Sequence, residues 1–448
     1  MSKSDLAIVI LAAGKGTRMK SALHKVLHPL GGRPMLHHLL ETVDQLNPTH
    51  KVIIVGADKE QLEASVDGKA HIALQQPQLG TGHAVDMAKD HLKDFKGTIL
   101  ILYGDVPLIS EATMRQMIDV GQKDEADVVV LGFKPQDCKA YGRLKLNADG
   151  RLDKIVEYKD ANEQERAIDL CNSGIMAVGG DHLFALLAAL DNDNASKEYY
   201  LTDVVEIANK KGLNCAVVEA DQFEVMGINS RSELAQAETV FQNKARQKFM
   251  DAGVTLTDPS SVYFCHDTKI GQDVSIGPNV FFGPNVEIDN DVIIHAFCHI
   301  EGAIVGSGSS VGPFARLRPA ALLGKNVKVG NFVEIKKSEI EDGAKISHLS
   351  YIGDARVGAG ANIGAGTITC NYDGYFKYKT DIGVGAFIGS NTSLVAPVKI
   401  GDGATVGAGS VVTSDGADDA LVVSRAKQKE ISGWSTTFRK NQQAKKDK

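Results

Sequence analysis

A six-residue period dominates the second half of the chain. An aliphatic or aromatic residue followed by glycine recurs at Ile270–Gly271, Ile276–Gly277 and Phe282–Gly283, and the series continues with interruptions to Val406–Gly407. A period of six fits neither a helix face nor an alternating strand. It is typical of a solenoid in which each short strand turns one apolar side chain inward and three strands complete a triangular coil. We expect a parallel β-helix, with glycine where the chain bends.

Glycine content shows how far this part of the chain extends. Of the 45 glycines, 23 fall between Ile270 and Ser410. The repeat stops between Thr369 and Asp381, and a solenoid carries such an insertion as a loop outside its core, where binding groups are often placed. A tolerated surface insertion is the alternative. The whole pattern resembles the left-handed parallel β-helix of hexapeptide-repeat proteins.

The first half of the chain alternates apolar strand-like segments with helical segments, which predicts an α/β domain with a mainly parallel, Rossmann-like sheet. Ser230–Glu233 matches a capping box, and Leu234–Met250 fits one long helix. We therefore divide the chain into residues 1–229, a linker helix at 230–250, and residues 251–448. The predicted strands are Ala7–Ala12, Val52–Val55, Thr98–Tyr103, Asp127–Gly132 and Ala216–Val218, and the predicted helices include Pro34–Asp44 and Met114–Gly121.

Charge and cysteine content exclude several classes of protein. The net charge of the 448 residues is −7; Arg425–Lys448 holds eight basic and two acidic residues, so the remainder carries −13. An acidic body argues against a general nucleic-acid binder, whereas the basic tail suits either a phosphate-rich ligand or plain solvation. No apolar run approaches 18 residues, so we expect no membrane span. Six cysteines without a CxxC pair indicate a reduced, cytoplasmic protein.

A glycine-containing loop follows the first predicted strand directly. Leu11–Met19 reads Leu-Ala-Ala-Gly-Lys-Gly-Thr-Arg-Met. Glycines let the backbone approach a phosphate group, and Arg18 and Lys25 add positive charge. The loop is neither a Walker A loop nor a complete GxGxxG motif. Asp105 lies just after the predicted strand Thr98–Tyr103, at the edge where open α/β sheets bind ligands, and a carboxylate there is a suitable Mg²⁺ ligand.

Together these motifs resemble the sugar-1-phosphate nucleotidyltransferases. Over nearly the full length, the chain resembles the bifunctional N-acetylglucosamine-1-phosphate uridyltransferase/glucosamine-1-phosphate acetyltransferase family. The motifs are specific in combination more than singly. The segments that carry the resemblance are Leu11–Met19, Gln78–Ala84, Tyr103–Leu108, Tyr141–Arg143, Ile155–Asp160, Asn172–Gly174, Gly227–Arg231, Gly330–Lys337, His348–Asp354 and Asn362–Gly374.

For the first half, the resemblance implies a site for UTP and the sugar phosphate. The backbone of Leu11–Gly14 with Gln75, Gly80 and Thr81 would hold uridine and the phosphates, and the residues that would hold the sugar are Tyr103, Gly142, Glu157 and Asn172. Arg18 and Lys25 would offset phosphate charge during catalysis, and Asp105 and Asn229 would bind Mg²⁺. His24 departs from the family, which usually has proline before this lysine. The residues implied to bind UDP-N-acetylglucosamine are Leu11, Ala12, Ala13, Gly14, Lys25, Gln75, Gly80, Thr81, Tyr103, Gly104, Asp105, Gly142, Glu157, Asn172 and Asn229.

For the second half, the resemblance implies an acetyltransferase. His348 would be the general base, because an amine must lose a proton to attack a thioester and imidazole titrates near neutral pH. Glu334 could assist. The implied sugar-phosphate residues are Arg318, Lys336, Tyr351 and Asn362, and the implied acetyl-CoA residues are Ala365, Asn371, Tyr372, Ser390, Ala408 and Arg425.

The implied activity makes UDP-N-acetylglucosamine in two steps. Glucosamine 1-phosphate would be acetylated from acetyl-CoA, and the N-acetylglucosamine 1-phosphate formed would then react with UTP. The resemblance also implies a homotrimer that needs no nucleic acid or membrane. Two alternatives stay open: another sugar nucleotidyltransferase with an inert β-helix, and a β-helix that serves only as a structural or regulatory binding module.

Overall fold

The chain divides into two compact units, residues 1–245 and 246–448. The structure is a computed structural model that describes residues 5–57, 59–123, 126–138, 141–194 and 196–447. Within these ranges, no helix combines the length and the apolar character needed to cross a membrane. The boundary between the units falls inside the helix Arg231–Asp251.

The first unit is built on a mostly parallel sheet with the strand order β11-β7-β10-β6-β1-β4-β5. Strand β1 pairs in parallel with both β4 and β6, and β7 pairs in parallel with β11. The long strand β10 runs antiparallel to β6 and β7, and sequence analysis did not predict it. The strands are β1 (Leu6–Ala12), β2 (Pro29–Leu30), β3 (Arg33–Pro34), β4 (His50–Val55), β5 (His71–Leu74), β6 (Thr98–Tyr103), β7 (Val128–Phe133), β8 (Arg143–Leu146), β9 (Leu152–Val156), β10 (Cys171–Gly179) and β11 (Cys215–Ala220).

Helices cover both faces of this sheet, which explains why β1 is apolar at every position. Ile8 and Ile10 belong to one buried cluster, whereas Ala7, Val9 and Leu11 belong to another. A strand buried on both sides has no polar face, so its sequence does not alternate. The helices of this unit are α1 (Met35–Asp44), α2 (Glu60–Val66), α3 (Thr81–Asp86), α4 (Lys89–Leu92), α5 (Glu111–Lys123), α6 (Glu163–Arg166), α7 (Gly180–Leu187) and α8 (Asp203–Lys210). Helix α9 (Arg231–Asp251) crosses the boundary between the units, and α10 (Trp434–Lys446) belongs to the second unit.

The start of α9 differs slightly from the predicted capping box. Ser230 Oγ accepts a hydrogen bond from Glu233 N at 3.2 Å, as the motif requires. The Glu233 carboxylate accepts its return bond from Asn229 N, at 2.7 Å, and not from Ser230 N. The cap therefore fixes the backbone of Asn229, which is one of the predicted metal ligands.

The second unit is a parallel β-helix with three flat faces, which confirms the predicted fold class. The first face contains Thr255–Leu256, Ser275–Ile276, Ile293–Ile294, Ser310–Val311, Lys328–Asn331, Lys345–His348, Asn362–Ile363, Phe387–Ile388, Thr405–Val406 and Leu421–Val422. The second face contains Phe281–Phe282, His299–Ile300, Arg316–Leu317, Glu334–Lys336, Tyr351–Gly353, Ile368–Cys370, Ser393–Val395 and Val411–Val412. The third face contains Lys269–Ile270, Glu287–Ile288, Ala303–Val305, Ala321–Leu323, Ser338–Ile340, Ala355–Val357, Thr380–Ile382 and Val398–Ile400.

The glycine of the six-residue repeat has a different role from the predicted one. A Cβ added to Gly277 would lie 2.8 Å from Ala296 N in the next coil, so glycine is needed where two coils approach closely. The left-handed bends are made instead by Asp273, Asn279 and Asn285, each with φ of 57°. Asn and Asp tolerate this conformation better than most residues do.

The interruption of the repeat is a loop that takes no part in the aliphatic core. Tyr372 and Lys377 form an antiparallel bridge, and Asp373 Oδ1 accepts hydrogen bonds from the backbone nitrogens of Tyr375 and Phe376. Tyr375 is 86% exposed at the loop tip. The strand Asn362–Ile363 before the loop still pairs with Phe387–Ile388 after it, so the stacking of coils continues.

Candidate active sites

A cavity of about 400 Å³ lies at the carboxyl ends of β1 and β6. This is the edge at which parallel α/β sheets bind ligands. Four further residues line it that sequence analysis did not select, and of these Gln78 and Glu198 are polar. The predicted residues that line it are Leu11, Ala12, Ala13, Gly14, Lys25, Gln75, Gly80, Thr81, Tyr103 and Asp105.

The glycine loop folds directly over Lys25. Gly16 has φ of 60°, and a Cβ added there would lie 2.5 Å from the Cβ of Lys25. Both its conformation and this close approach therefore require glycine. Arg18 lies on the exposed turn Thr17–Met19 and is not among the residues lining the cavity. The predicted pair of cations is thus separated, with only Lys25 at the cavity.

Lys25 connects the two residues predicted to bind a metal ion. Its Nζ lies 2.5 Å from Asp105 Oδ2 and 2.9 Å from Asn229 Oδ1. The side chains of Lys25 and Asp105 are only 12% and 14% exposed. A carboxylate and an amide oxygen therefore already converge on one positive charge. Oxygen donors of this kind suit a hard divalent cation, so these residues fit the predicted Mg²⁺ site.

At the other side of the cavity, side-chain amides tie the loops together. Gln75, which is 4% exposed, donates from Nε2 to Gly80 O at 2.9 Å. Gln78 donates to Ala13 O, joining its loop to the glycine loop. Thr81 Oγ1 accepts a bond from Leu201 N at 3.0 Å. These bonds hold the predicted uridine-binding residues in a preformed arrangement.

The residues predicted to bind the sugar form a neighbouring group around Tyr103. Asn172 N donates to Gly142 O at 2.8 Å, and a Cβ added to Gly142 would lie 3.6 Å from Glu157 Oε1. Gly142, Glu157 and Asn172 do not line the first cavity, but Tyr103 does. Burial, followed by the charges of Asp105 and Glu157, raises the pKa of the Tyr103 phenol well above its ordinary value. Tyr103 is therefore a neutral hydrogen-bond donor beside both groups.

Glu157 is held by a residue that sequence analysis missed. Thr202 is 8% exposed, and its Oγ1 donates to Glu157 Oε1 at 3.3 Å. Burial raises the pKa of Glu157, and the hydrogen bond from Thr202 opposes that rise by stabilising the carboxylate. Thr202 precedes α8, far from Glu157 in sequence, so no local motif could have indicated the contact. Gly104 supports the same region, because its backbone nitrogen donates to Leu11 O at 3.0 Å.

In the β-helix, the edge between the first and second faces brings together residues from successive coils. We call it the His348 edge. Gly366 N bonds His348 O, Asn391 N bonds Ala365 O at 2.7 Å, and Gly409 N bonds Ser390 O at 2.8 Å. Arg425 Nη1 donates to Ala408 O at 2.6 Å. The predicted base and four predicted acetyl-CoA residues therefore form one line: His348, Ala365, Ser390, Ala408 and Arg425.

Three of the four predicted sugar-phosphate residues lie on or directly after strands of the second face: Arg318, Lys336 and Tyr351. Glu334 and Tyr351 are opposite each other on adjacent strands, and Arg318 Nη1 lies 2.8 Å from Glu334 Oε1. Glu334, which was predicted to assist the base, is thus paired with a cation. Arg318 Nε is buried and has no hydrogen-bond partner among the described residues. A buried donor without a partner favours an anionic ligand.

A third cation was not predicted from the sequence. Lys377, in the loop that interrupts the repeat, is close enough to Lys336 to lower the pKa of its ammonium group, and Arg318 adds a smaller effect in the same direction. Like charges placed together are unfavourable unless an anion joins them. Lys377 lies 41 residues after Lys336 in the sequence, in the segment that breaks the repeat, so its position could not be inferred from the period.

The remaining predicted residues of the second half lie apart from the His348 edge. Asn371 is 7% exposed and donates from Nδ2 to Asp354 Oδ2 at 2.6 Å. Tyr372 follows it into the loop and is 59% exposed. Asn362 is on the first face, between Lys345 and Phe387. The predicted residues of the second half therefore lie along two edges of the β-helix.

Family models match both halves. A MobA-like NTP transferase domain matches residues 8–201. A bacterial transferase hexapeptide model of six repeats matches residues 267–302, and a hexapeptide repeat of succinyl-transferase matches residues 379–414. These matches agree with the α/β unit and the β-helix seen in the structure.

Relatives extend the similarity over the whole chain. The Bifunctional protein GlmU of Sphingopyxis alaskensis is 57% identical, covering 97% of this chain and 96% of that protein. Its counterpart from Paramagnetospirillum magneticum is 55% identical over the full length of both, and that from Zymomonas mobilis is 50% identical over 98% of each. The resemblance inferred from the motifs is confirmed. The chain belongs to the GlmU family of bifunctional proteins, which join a nucleotidyltransferase domain to a hexapeptide-repeat transferase domain.

Proposed function

We propose that the chain makes UDP-N-acetylglucosamine in two steps, each on its own unit. The second unit transfers an acetyl group from acetyl-CoA to glucosamine 1-phosphate. The first unit then joins the N-acetylglucosamine 1-phosphate formed to UTP and releases pyrophosphate. The observation that carries the proposal is that Lys25 and Asp105 line the cavity at the carboxyl ends of β1 and β6, where Asn229 also bonds to Lys25. Family membership over the full chain supports the pairing of this activity with acetyl transfer.

In the acetyl transfer, His348 takes a proton from the amine of glucosamine 1-phosphate. The nitrogen forms a bond to the thioester carbonyl carbon, the carbon–sulfur bond breaks, and coenzyme A leaves as a thiol after it is protonated. Arg318, Lys336 and Lys377 hold the sugar phosphate, since they supply three cations and one buried unpaired donor. The acetyl-CoA lies along the His348 edge toward Arg425.

In the uridyl transfer, an oxygen of the sugar phosphate attacks the α-phosphorus of UTP. Asp105 and Asn229 would hold Mg²⁺, which when bound would supply positive charge against the repulsion between the two anionic reactants. Lys25 contacts the phosphates, and the backbone of Leu11–Gly14 with Gln75, Gly80 and Thr81 holds the nucleotide. Gly142, Glu157, Asn172 and Tyr103 orient the sugar. Holding both reactants in line supplies much of the rate without a protein nucleophile.

We also propose a homotrimer. The predicted acetyl-transfer residues of one chain lie on two edges of the prism, so a second copy is needed to enclose the substrates. Helix α10 and the residues before it are exposed along their length and carry Lys427 and Lys440, which could reach the phosphates of coenzyme A. A cytoplasmic location remains a prediction from the cysteine content.

Two product assays test the proposal. Thiol release from acetyl-CoA should require glucosamine 1-phosphate, and pyrophosphate release from UTP should require N-acetylglucosamine 1-phosphate and Mg²⁺. Thiol release should fall about 10²–10⁴-fold in His348→Ala, because that is the usual cost of losing a positioned base. Pyrophosphate release without any thiol release would favour the alternative in which the β-helix is inert.

A further inference from the structure

Asn331 and His348 lie opposite each other on adjacent coils at the start of the His348 edge. The strands Lys328–Asn331 and Lys345–His348 each contain four residues, whereas the other strands of the first face contain two. Their pairing places Asn331 in register with His348. Gly330 permits the close approach, since a Cβ there would collide with the carbonyl oxygen of Ser347.

The two side chains form a short hydrogen bond. Asn331 Oδ1 lies 2.7 Å from His348 Nδ1. An amide oxygen can only accept, so Nδ1 must carry the hydrogen of the neutral ring. Nε2 then has the free lone pair, and it makes no hydrogen bond to any described residue. His348 is exposed at this edge, so Nε2 is accessible to a substrate.

We propose that Asn331 is a positioning residue for acetyl transfer: it fixes the tautomer and orientation of His348 so that Nε2 is the proton acceptor. The proposal rests on the proposed function, in which His348 is the base. The hydrogen bond that one ring nitrogen makes decides which nitrogen of the neutral ring carries the hydrogen, and Asn331 supplies that bond without adding a charge. On the strand of His348 and on the two strands beside it, the charged residues are Lys328 and Lys345. A lysine ammonium group only donates hydrogen bonds, so neither residue could replace Asn331 as the acceptor for Nδ1.

Three variants of the full chain test the assignment. Asn331→Ala removes the acceptor, and we expect kcat for acetylation to fall about 10- to 100-fold, the range seen when the partner that orients a histidine is lost. KM for acetyl-CoA should change little. Asn331→Asp keeps an acceptor and adds a negative charge that favours imidazolium, so it should retain activity while the acidic limb of the rate moves to higher pH. Ser310→Ala is the matched control, because it removes a similar bond, 3.1 Å from Ser310 Oγ to His295 Nε2, elsewhere on the same face.

A spectroscopic readout separates positioning from general damage. In ¹⁵N spectra of sedimented, [¹⁵N]histidine-labelled protein, His348 is identified by subtracting the spectrum of His348→Ala. Above the titration range, the wild type should show hydrogen on Nδ1, and Asn331→Ala should shift His348 toward the other tautomer. Uridyl transfer by every variant should match the wild type and serves as the check on folding.

The outcomes distinguish this inference from the proposed function. If His348→Ala acetylates at the wild-type rate, the proposed base is wrong and both proposals fail. If His348→Ala is inactive but Asn331→Ala keeps the wild-type kcat and tautomer, only the role of Asn331 is refuted. Hydrogen on Nε2 in the wild type would also overturn it.

Discussion

The ammonium group of Lys25 lies 2.5 Å from the carboxylate of Asp105, at a point that Asn229 also contacts. The lysine therefore occupies the position toward which the proposed metal ligands converge. It compensates the charge of Asp105 in the free chain. Removing the charge of Asp105 would therefore leave the mostly buried ammonium group of Lys25 without an ionic partner.

Asp105→Asn should abolish most uridyl transfer and leave acetyl transfer intact. An amide oxygen is a weaker Mg²⁺ ligand than a carboxylate, and the substitution also removes the partner of Lys25. Pyrophosphate and thiol release should be measured on the same preparation. Asp149→Asn, in an exposed turn of the same unit, is the control and should change neither rate. Equal loss of both activities in a folded Asp105→Asn protein would argue against separate sites.

Thr202→Val should weaken binding of N-acetylglucosamine 1-phosphate, and more so at lower pH. Burial already raises the pKa of Glu157, and the hydroxyl of Thr202 opposes that rise. Without the hydroxyl the pKa should rise further, so the carboxylate is protonated at a higher pH and the charged acceptor for the sugar is lost as pH falls. We expect KM to increase roughly tenfold, the effect of losing about one hydrogen bond. A KM profile against pH that coincides with the wild type would show that the hydroxyl does not influence Glu157.

Lys377→Met should raise KM for glucosamine 1-phosphate in acetylation by roughly tenfold, with kcat less affected. Lys377 is one of three cations grouped with Lys336 and Arg318, and a charge-assisted bond to a phosphate typically contributes more than a neutral one. Initial rates at saturating acetyl-CoA measure the effect. Lys399→Met is the control: it removes the same charge, but from a third-face strand that lies outside this group. If both variants have the same KM, net charge and not position is responsible.

A fragment that ends at residue 230 should be less stable than one that ends at residue 245. Ala237 in α9 is fully buried against Leu30, Met35 and Ile228, and Phe241 packs on the same cluster. The shorter fragment exposes this cluster, and each large apolar side chain contributes about 1.5–3 kcal/mol when buried. Thermal melting of the two fragments provides the comparison. Sedimentation should show both as monomers, because the proposed trimer is formed by the β-helix.

Much of this architecture follows from local sequence. The period of six predicts the β-helix because each coil repeats one small set of contacts, and the apolar run of β1 predicts a strand buried on both sides. Strand β10 escaped prediction because Asn172, Ser173 and Gly174 interrupt its apolar residues, and the register shifts at this point. The sequence of such an irregular segment does not by itself predict a strand, because its β-structure depends on the strands packed beside it.

The site residues also divide into those that the sequence predicted and those that it did not. Asp105 follows the end of β6 and could be selected from that position, and Lys25 was selected as a positive charge after the glycine loop and through the family resemblance. Thr202, Lys377 and Asn331 instead act through contacts with residues distant in sequence. Asn331 is 17 residues before His348, one coil of the solenoid. The repeat was used only to place apolar residues. The same spacing, applied to polar residues, would have predicted that Asn331 and His348 are neighbours.

The His348 edge also sets a length. Four steps between coils separate His348 from Arg425, and neighbouring strands are about 4.8 Å apart, so the two residues are separated by about 19 Å along the axis. The loop between Thr369 and Asp381 lengthens the chain but adds no step to this distance. The number of coils thus sets the distance between the proposed proton acceptor and the residue proposed to contact the phosphates of coenzyme A. Removing one whole coil would shorten this distance by about 4.8 Å, and we expect the shortened protein to bind acetyl-CoA more weakly.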